Sequence, residues 1–160
     1  MRTARATALT LLFLFLLAAP AAADATLFLG TNMTPENRKT QGFSVGGGLL
    51  LIGFEFEYAS TSDDLESLSP ALKTYAGNLL LQTPFTIFGI QPYFTTGGGA
   101  YHAELANFEK TGFGLNTGGG VKVNLVGPLR LRVDYRAFGL GDGALDSPAH
   151  RIYAGLNLKF

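Results

Sequence analysis

Nine residues in the last third of the chain constrain its fold more than any others. From Leu129 to Ala137 the odd positions are Leu129, Leu131, Val133, Tyr135 and Ala137, and the even positions between them are Arg130, Arg132, Asp134 and Arg136. Successive side chains of a strand point to opposite faces, so this segment reads as a strand with one wholly charged face. A period of 3.6 would scatter the same charges around a helix axis. The rule returns at the C-terminus, where Ile152, Ala154, Leu156, Leu158 and Phe160 alternate with Arg151, Tyr153, Gly155, Asn157 and Lys159. Phe54, Phe56 and Tyr58 alternate with Glu55 and Glu57, and Val121, Val123 and Leu125 with Lys122 and Asn124.

Many short alternating strands fit two architectures, a soluble sandwich or a barrel in lipid, and composition separates them. Apolar residues are 47% of the chain and charged residues 15%, against roughly 25% charged in soluble domains. A soluble sandwich would take the aromatics as ordinary core, and it does not account for charges on an inner face. A membrane barrel uses both: apolar outward against lipid, polar inward. Strands are expected over 25–31, 42–50, 53–61, 73–83, 91–105, 111–125, 129–140 and 149–160. Eight is an even number that closes an antiparallel up-and-down barrel.

The connections alternate in length. Those over 32–41, 62–72, 106–110 and 141–148 are long and polar, and those at 51–52 and 126–128 are tight. The connection over 84–90 is apolar and longer than a minimal turn. Tight turns mark the periplasmic end of such a barrel and long loops the outer end, which puts both termini in the periplasm. On this threading two aromatic girdles face the bilayer interfaces. Phe43, Tyr75, Tyr101, Phe113 and Tyr135 form the loop-end girdle, and Phe54, Phe56, Tyr93 and Phe160 the turn-end one.

The first 23 residues read as an export signal. Arg2 and Arg5 give a positive start, residues 9–19 an apolar run too short to span a bilayer, and Pro20 precedes small residues suited to signal peptidase. Cleavage is expected between Ala23 and Asp24, with cleavage after Ala25 as the alternative, leaving residues 24–160 as the barrel domain. The mature segment holds ten basic and twelve acidic residues, a formal charge of −2. No basic patch for nucleic acid is present. Without cysteine there is no disulfide framework, thiol nucleophile or lipid-modified N-terminus.

Charges on the inner faces must meet one another or water, since an isolated buried ion costs several kcal/mol. The expected lumen network comprises Glu55, Glu57, Glu104 and Asp134 with Lys122, Arg130, Arg132, Arg136 and Arg151, and Lys159 beside them. Counting along the strands gives two layers: Glu55 and Glu57 with Lys122, Arg130 and Arg132, then Glu104 and His102 with Arg136 and Arg151 nearer the outer mouth. An eight-stranded barrel has room inside only for side chains, so the layers are expected to plug it.

Other chemistry finds little support. The glycine triplets beginning at Gly46, Gly97 and Gly118 are not followed by the Lys-Ser/Thr of a phosphate loop, and the third runs into a strand. His102 and His150 are the two candidate neutral-pH bases. Asp63, Asp64 and Glu66 form a loop that is solvated by default, with weak Ca²⁺ binding as the alternative. No metal and no cofactor is expected.

Three segments resemble the OmpA/OmpX-like group of small outer-membrane barrels. They are Gln91-Pro92-Tyr93 running into Gly97-Gly98-Gly99, Gly118-Gly119-Gly120 followed by Leu131-Arg132-Val133-Asp134-Tyr135-Arg136, and the ending Tyr153 to Phe160. In that ending Gly155, Leu158 and Phe160 are similar to the signal read by the barrel-assembly machinery, while Tyr153 stands where a more polar residue is usual. The resemblance implies a monomeric barrel in the bacterial outer membrane, partnered by outer-membrane lipid and lipopolysaccharide. It also implies assembly machinery and periplasmic chaperones during biogenesis. The group hosts anchors, adhesins and a few enzymes, so architecture does not fix activity. Lipid A deacylases of this size carry a serine two places after the histidine, and His102 is followed by Ala103-Glu104. The expected function is therefore a non-enzymatic membrane component or platform for surface loops, with a narrow channel as the second reading and a lipid A-modifying enzyme as the third.

Overall fold

The computed structural model describes residues 22–105, 108–141 and 147–160. The signal peptide expected over 1–23 lies, apart from its last two residues, outside them. The described chain is all β: β1 (Ala22–Asn32), β2 (Arg38–Leu49), β3 (Ile52–Thr61), β4 (Ala71–Gln82), β5 (Ile90–Leu105), β6 (Phe108–Val126), β7 (Leu129–Leu140) and β8 (Ala149–Lys159). Each strand pairs antiparallel with the next, and β1 pairs with β8 to close the barrel. Ala23 and Phe160 finish this seam by exchanging backbone hydrogen bonds of 3.0 and 2.9 Å.

Closure satisfies every strand edge, the condition for placing backbone amides in lipid. The side chains follow the same logic. Leu27, Leu29, Phe54 and Leu115 face out and are 63–72% exposed, while Arg132, Arg136, Thr95 and Asn157 face in at 0%. A soluble protein hides the first group and exposes the second. This inversion is what an apolar solvent around the barrel selects.

Tight turns at 50–51 and 127–128 lie at the end of the barrel that carries both termini. At the second, Gly127 takes φ 55°, a left-handed conformation that glycine adopts without steric cost. The third connection at that end, 83–89, finishes in a two-residue turn in which Ile87 and Ile90 exchange hydrogen bonds of 2.8 and 2.9 Å. Phe88 there is fully exposed at φ 51°. At the opposite end β5 and β6 extend further than the loop expected over 106–110, with Leu105 opposite Phe108 in register. Arg38 donates to the carbonyls of Pro70 and, at 3.0 Å, Thr34, tying the 33–37 and 62–70 loops together.

Candidate functional site

The inner wall carries the chemistry. Strands β3 and β7 stand on opposite sides of the lumen, and their inward positions supply Glu55 and Glu57 from one and Arg130, Arg132, Asp134 and Arg136 from the other. Arg132 binds both oxygens of Glu55 in a bidentate pair and also reaches Asp134 at 3.1 Å. Arg136 reaches Glu55 at 2.7 Å, Asp134 at 3.0 Å and Glu57 at 3.2 Å. Arg151 of β8 pairs with Glu57. Three carboxylates and three guanidinium groups thus form one neutral, connected cluster. Shared, fork-shaped partners of this kind are how a buried guanidinium is satisfied.

Rings complete the cluster. The Tyr93 hydroxyl donates to Asp134 and accepts from Arg132 Nε at 2.7 Å, and the Arg132 guanidinium lies 4.9 Å from the Tyr93 ring centroid. Arg151 lies 4.5 Å from the Phe138 ring centroid. Phe28 and Tyr153 stack at 4.0 Å, and the Tyr153 hydroxyl donates to Glu57 at 3.2 Å. Cation–π contact of this sort is worth most where water is excluded.

A second cluster closes the turn end. Lys122 and Arg130 both bind Asp24, the latter at 3.0 Å, and Arg130 also donates to Asn157 at 2.8 Å and Gln91 at 3.0 Å. At the loop end the lumen is capped by apolar packing of Leu72, Tyr101 and Ala103 with Leu140. Of the voids that touch these side chains, two are small, one beside Tyr101, Asn116 and Phe138 and one beside Asp24, Glu55 and Lys122. Each measures ≈10 Å³, about the space of a single water.

Glycine makes room for this filling on the β6 side. Gly118 and Gly120 face Arg136 and Asp134 in register. A Cβ at either would sit 2.1 or 2.2 Å from a β7 carbonyl oxygen, and at Gly120 also 2.7 Å from the Tyr93 hydroxyl. No larger residue fits there without moving the wall or the tyrosine.

Several expectations need correction. Glu104 faces outward, its side chain 61% exposed and 3.9 Å from His102, so neither belongs to the lumen. Tyr93 and Tyr101 face inward, 6% and 2% exposed, and are not girdle residues. All four placements have one cause, a β5 phase that turns the tyrosines to lipid. The phenol hydroxyl instead suits a polar interior, and Phe94, 51% exposed, takes the lipid side. Lys159 lies exposed at the end of β8. The two-layer grouping also shifts, because strand tilt offsets positions counted from the turns. Glu57 meets Arg136 and Arg151, Glu55 meets Arg132, and Asp24 serves Lys122 and Arg130. Asp24, expected only as the residue after the cleavage site, is thus the acid that sequence reasoning missed. Its shared parity with Thr26 and Phe28 was the available sign.

The remaining named residues are placed as follows. Phe43, Phe54, Phe56, Tyr75, Phe113 and Tyr135 face outward, each 40–66% exposed. Phe43, Tyr58 and Tyr75 form a continuous row with centroid spacings of 5.7 and 5.0 Å. Leu158 and Phe160 face outward, while a Cβ at Gly155 would meet the Leu27 carbonyl oxygen at 2.4 Å. His102 shares a 2.8 Å hydrogen bond with the Thr111 hydroxyl, and Glu104 and Glu109 stand 3.9 Å from its other nitrogen. That is beyond hydrogen-bond length, so no carboxylate fixes the imidazole as a triad acid would. Asp64 is turned back onto its own loop. The Ser67 hydroxyl and the N–H groups of Ser67 and Glu66 hold its carboxyl below the usual carboxylate range. Among the described residues no group of acids and histidines is arranged to hold a metal.

No protein-family model matches the chain, and no curated protein matches its sequence. Solved structures match its fold. Neisserial surface protein A superposes with a TM-score of 0.66 at 17% identity, covering 88% of this chain and 96% of that one. The N-terminal β-barrel domain of Pseudomonas aeruginosa OprF gives 0.66 at 12% identity, covering 87% and 97%. Ail, the attachment invasion locus protein of Yersinia pestis, gives 0.57 at 14% identity, covering 89% and 99%. The chain therefore has the eight-stranded barrel fold of these outer-membrane proteins.

Proposed function

We propose that this barrel resides in the bacterial outer membrane as a non-catalytic component whose lumen is sealed by ion pairs and whose longer loops are displayed at the cell surface. One observation carries the reading: Arg132 and Arg136 are wholly buried on carboxylates at the centre of the barrel, while the wall outside them is leucine and phenylalanine. A sealed polar core and an apolar jacket serve residence in a bilayer and leave no path for solutes. On this reading the termini are periplasmic, residues 1–23 are removed on export, and Gly155, Leu158 and Phe160 are read by the assembly machinery. Lipopolysaccharide and phospholipid surround a monomer.

The test joins three measurements on the expressed protein. Protease shaving of intact cells should cut within the longer loops and spare the tight turns. Unboiled samples should migrate differently from boiled ones on gels, as closed barrels do. Planar-bilayer recordings should show no sustained conductance, and large steady currents would overturn the sealed lumen. Lipid A extracted from expressing cells should be unchanged, and a change abolished by His102→Ala would overturn the non-catalytic reading.

A further inference from the structure

The outer wall is not uniformly convex. Across β8, β1, β2 and β3 it carries a groove of ≈730 Å³ that meets a second of ≈540 Å³ nearer the loop end, the two sharing Leu29, Gln41 and Ser60. The inner wall shows what shapes it. In register, Phe28 is flanked by Gly42 on β2 and Gly155 on β8. A Cβ at either glycine would lie 2.1 or 2.4 Å from a neighbouring carbonyl oxygen. The Phe28 ring lies flat in the space they leave, stacked on Tyr153. Outside, the small side chain of Ala154 completes the floor between Leu27, Leu29, Leu131 and Leu156.

The two halves of the groove differ in chemistry along the strand direction. The lower half is walled by leucines and Phe43, each 36–72% exposed. The upper half begins one outward row above the Phe43–Tyr58–Tyr75 girdle and offers Gln41, Ser60, Ser62 and the ammonium of Lys39. Lys73 stands next to Ser60 across the β3–β4 pair. Acids stand near on two sides: Asp64 in the following loop, held by its own turn, and outward Glu104 on β5, one diagonal position from Lys73, whose register partner is His102.

We infer that this groove binds one acylated, phosphorylated glycolipid of the outer leaflet, the chemistry of the lipopolysaccharide anchor. An acyl chain lies along Leu27, Leu156 and Leu131, and phosphate meets Lys39 and Lys73. Sugar hydroxyls meet Gln41, Ser60 and Ser62. The extent of the polar half favours a sugar phosphate over the compact diester of a phospholipid, because amide and hydroxyl groups outnumber cations there. The assignment rests on the orientation proposed above, with the loop end in the outer leaflet.

The experiment reconstitutes the full barrel in phosphatidylcholine nanodiscs doped with lipid A or, at equal phosphate, phosphatidylglycerol, and counts lipids retained per barrel by native mass spectrometry. One lipid A per barrel, retained in preference to phosphatidylglycerol, is the expected result. The double variant Lys39→Gln, Lys73→Gln should weaken retention, by about fivefold per lysine near an anionic headgroup. Ala154→Phe fills the apolar floor without altering charge and should abolish retention. Gel mobility reports whether that variant folds, and if it does not, the lysine variant decides. Equal retention of both lipids, or retention indifferent to the substitutions, overturns the inference. Nanodisc binding does not depend on orientation in cells, which is read separately by labelling Ser67→Cys on intact cells with an impermeant maleimide. Labelling with lost lipid selectivity sinks the groove alone, and selectivity without labelling sinks the orientation and with it the leaflet assigned here.

Discussion

Replacing Arg132 by methionine removes the guanidinium that holds both oxygens of Glu55, one oxygen of Asp134, the Tyr93 hydroxyl and, at 3.2 Å, the Ser44 hydroxyl. Glu55 and Asp134 are then left to share Arg136, and the cluster of three acids and three arginines becomes net negative where no bulk water reaches. Breaking a buried pair in this way costs about 3–5 kcal/mol. Glu55→Leu strands the opposite charge and should cost a similar amount. The double variant Glu55→Leu, Arg132→Met leaves Glu57 and Asp134 with Arg136 and Arg151, neutral again. Its loss should fall short of the summed single losses by about 0.5–3 kcal/mol, the range for directly coupled residues. Urea titration of the barrel refolded into micelles, with folded fraction read from the mobility of unboiled samples, measures all three. Gel mobility suits a chain that has no tryptophan for fluorescence. If each single variant costs less than about 1 kcal/mol, as exposed pairs do, or if the losses add, the lumen is hydrated and the sealed-core reasoning is wrong.

Three further outcomes are expected. Tyr93→Phe should destabilise by about 1–3 kcal/mol, because it strips a partner from buried Asp134 and Arg132, while Phe94→Tyr on the lipid side should be near neutral; the reverse order in the same titration would invert the phase of β5. Phe88→Asn should raise stability by about 1 kcal/mol, since a bulky residue at left-handed φ is strained and asparagine tolerates that region; an unchanged or lower urea midpoint would show that Phe88 is held by something beyond its turn. The depressed Asp64 carboxyl contributes order to its loop above the unfolded aspartate value of about 3.9, and that order is lost as pH falls through the lower folded value. An NMR titration of the Glu66 and Ser67 amides should therefore show a midpoint below the unfolded value, and one at or above it would contradict the turn geometry.

How much of this was legible in the sequence depended on whether charge marked the parity of a strand. Strands β3, β7 and β8 carry charges on one face only, so their walls could be read residue by residue. Strand β5 carries Tyr93, Thr95, Thr96, Tyr101 and a glycine run in its centre, side chains acceptable on either wall, so alternation alone leaves its phase open. The partners within the lumen were less legible still. Glu55 and Arg132 stand across the cavity on strands that never touch, and which acid meets which base follows from strand tilt, which no pattern along one strand encodes. Asp24 was hidden for another reason: it stands where the small-residue export signal meets the first strand, and no alternation precedes it to mark its face. The lipid groove depends on Gly42 and Gly155 flanking Phe28, a juxtaposition of three strands that appears only once the register is known.

Asp134 meets Arg132 and Arg136 within its own strand, but the pairs that cross the lumen join residues far apart in the chain: 77 positions separate Arg132 from Glu55, 94 separate Arg151 from Glu57, and 106 separate Arg130 from Asp24. None of these crossing pairs can form in a hairpin. A partly assembled wall therefore leaves Glu55, Glu57 and Asp24 without the bases that match them, a cost that falls as the far wall arrives. Ionic chemistry at the centre thus favours the complete cylinder over any open sheet built from the same strands.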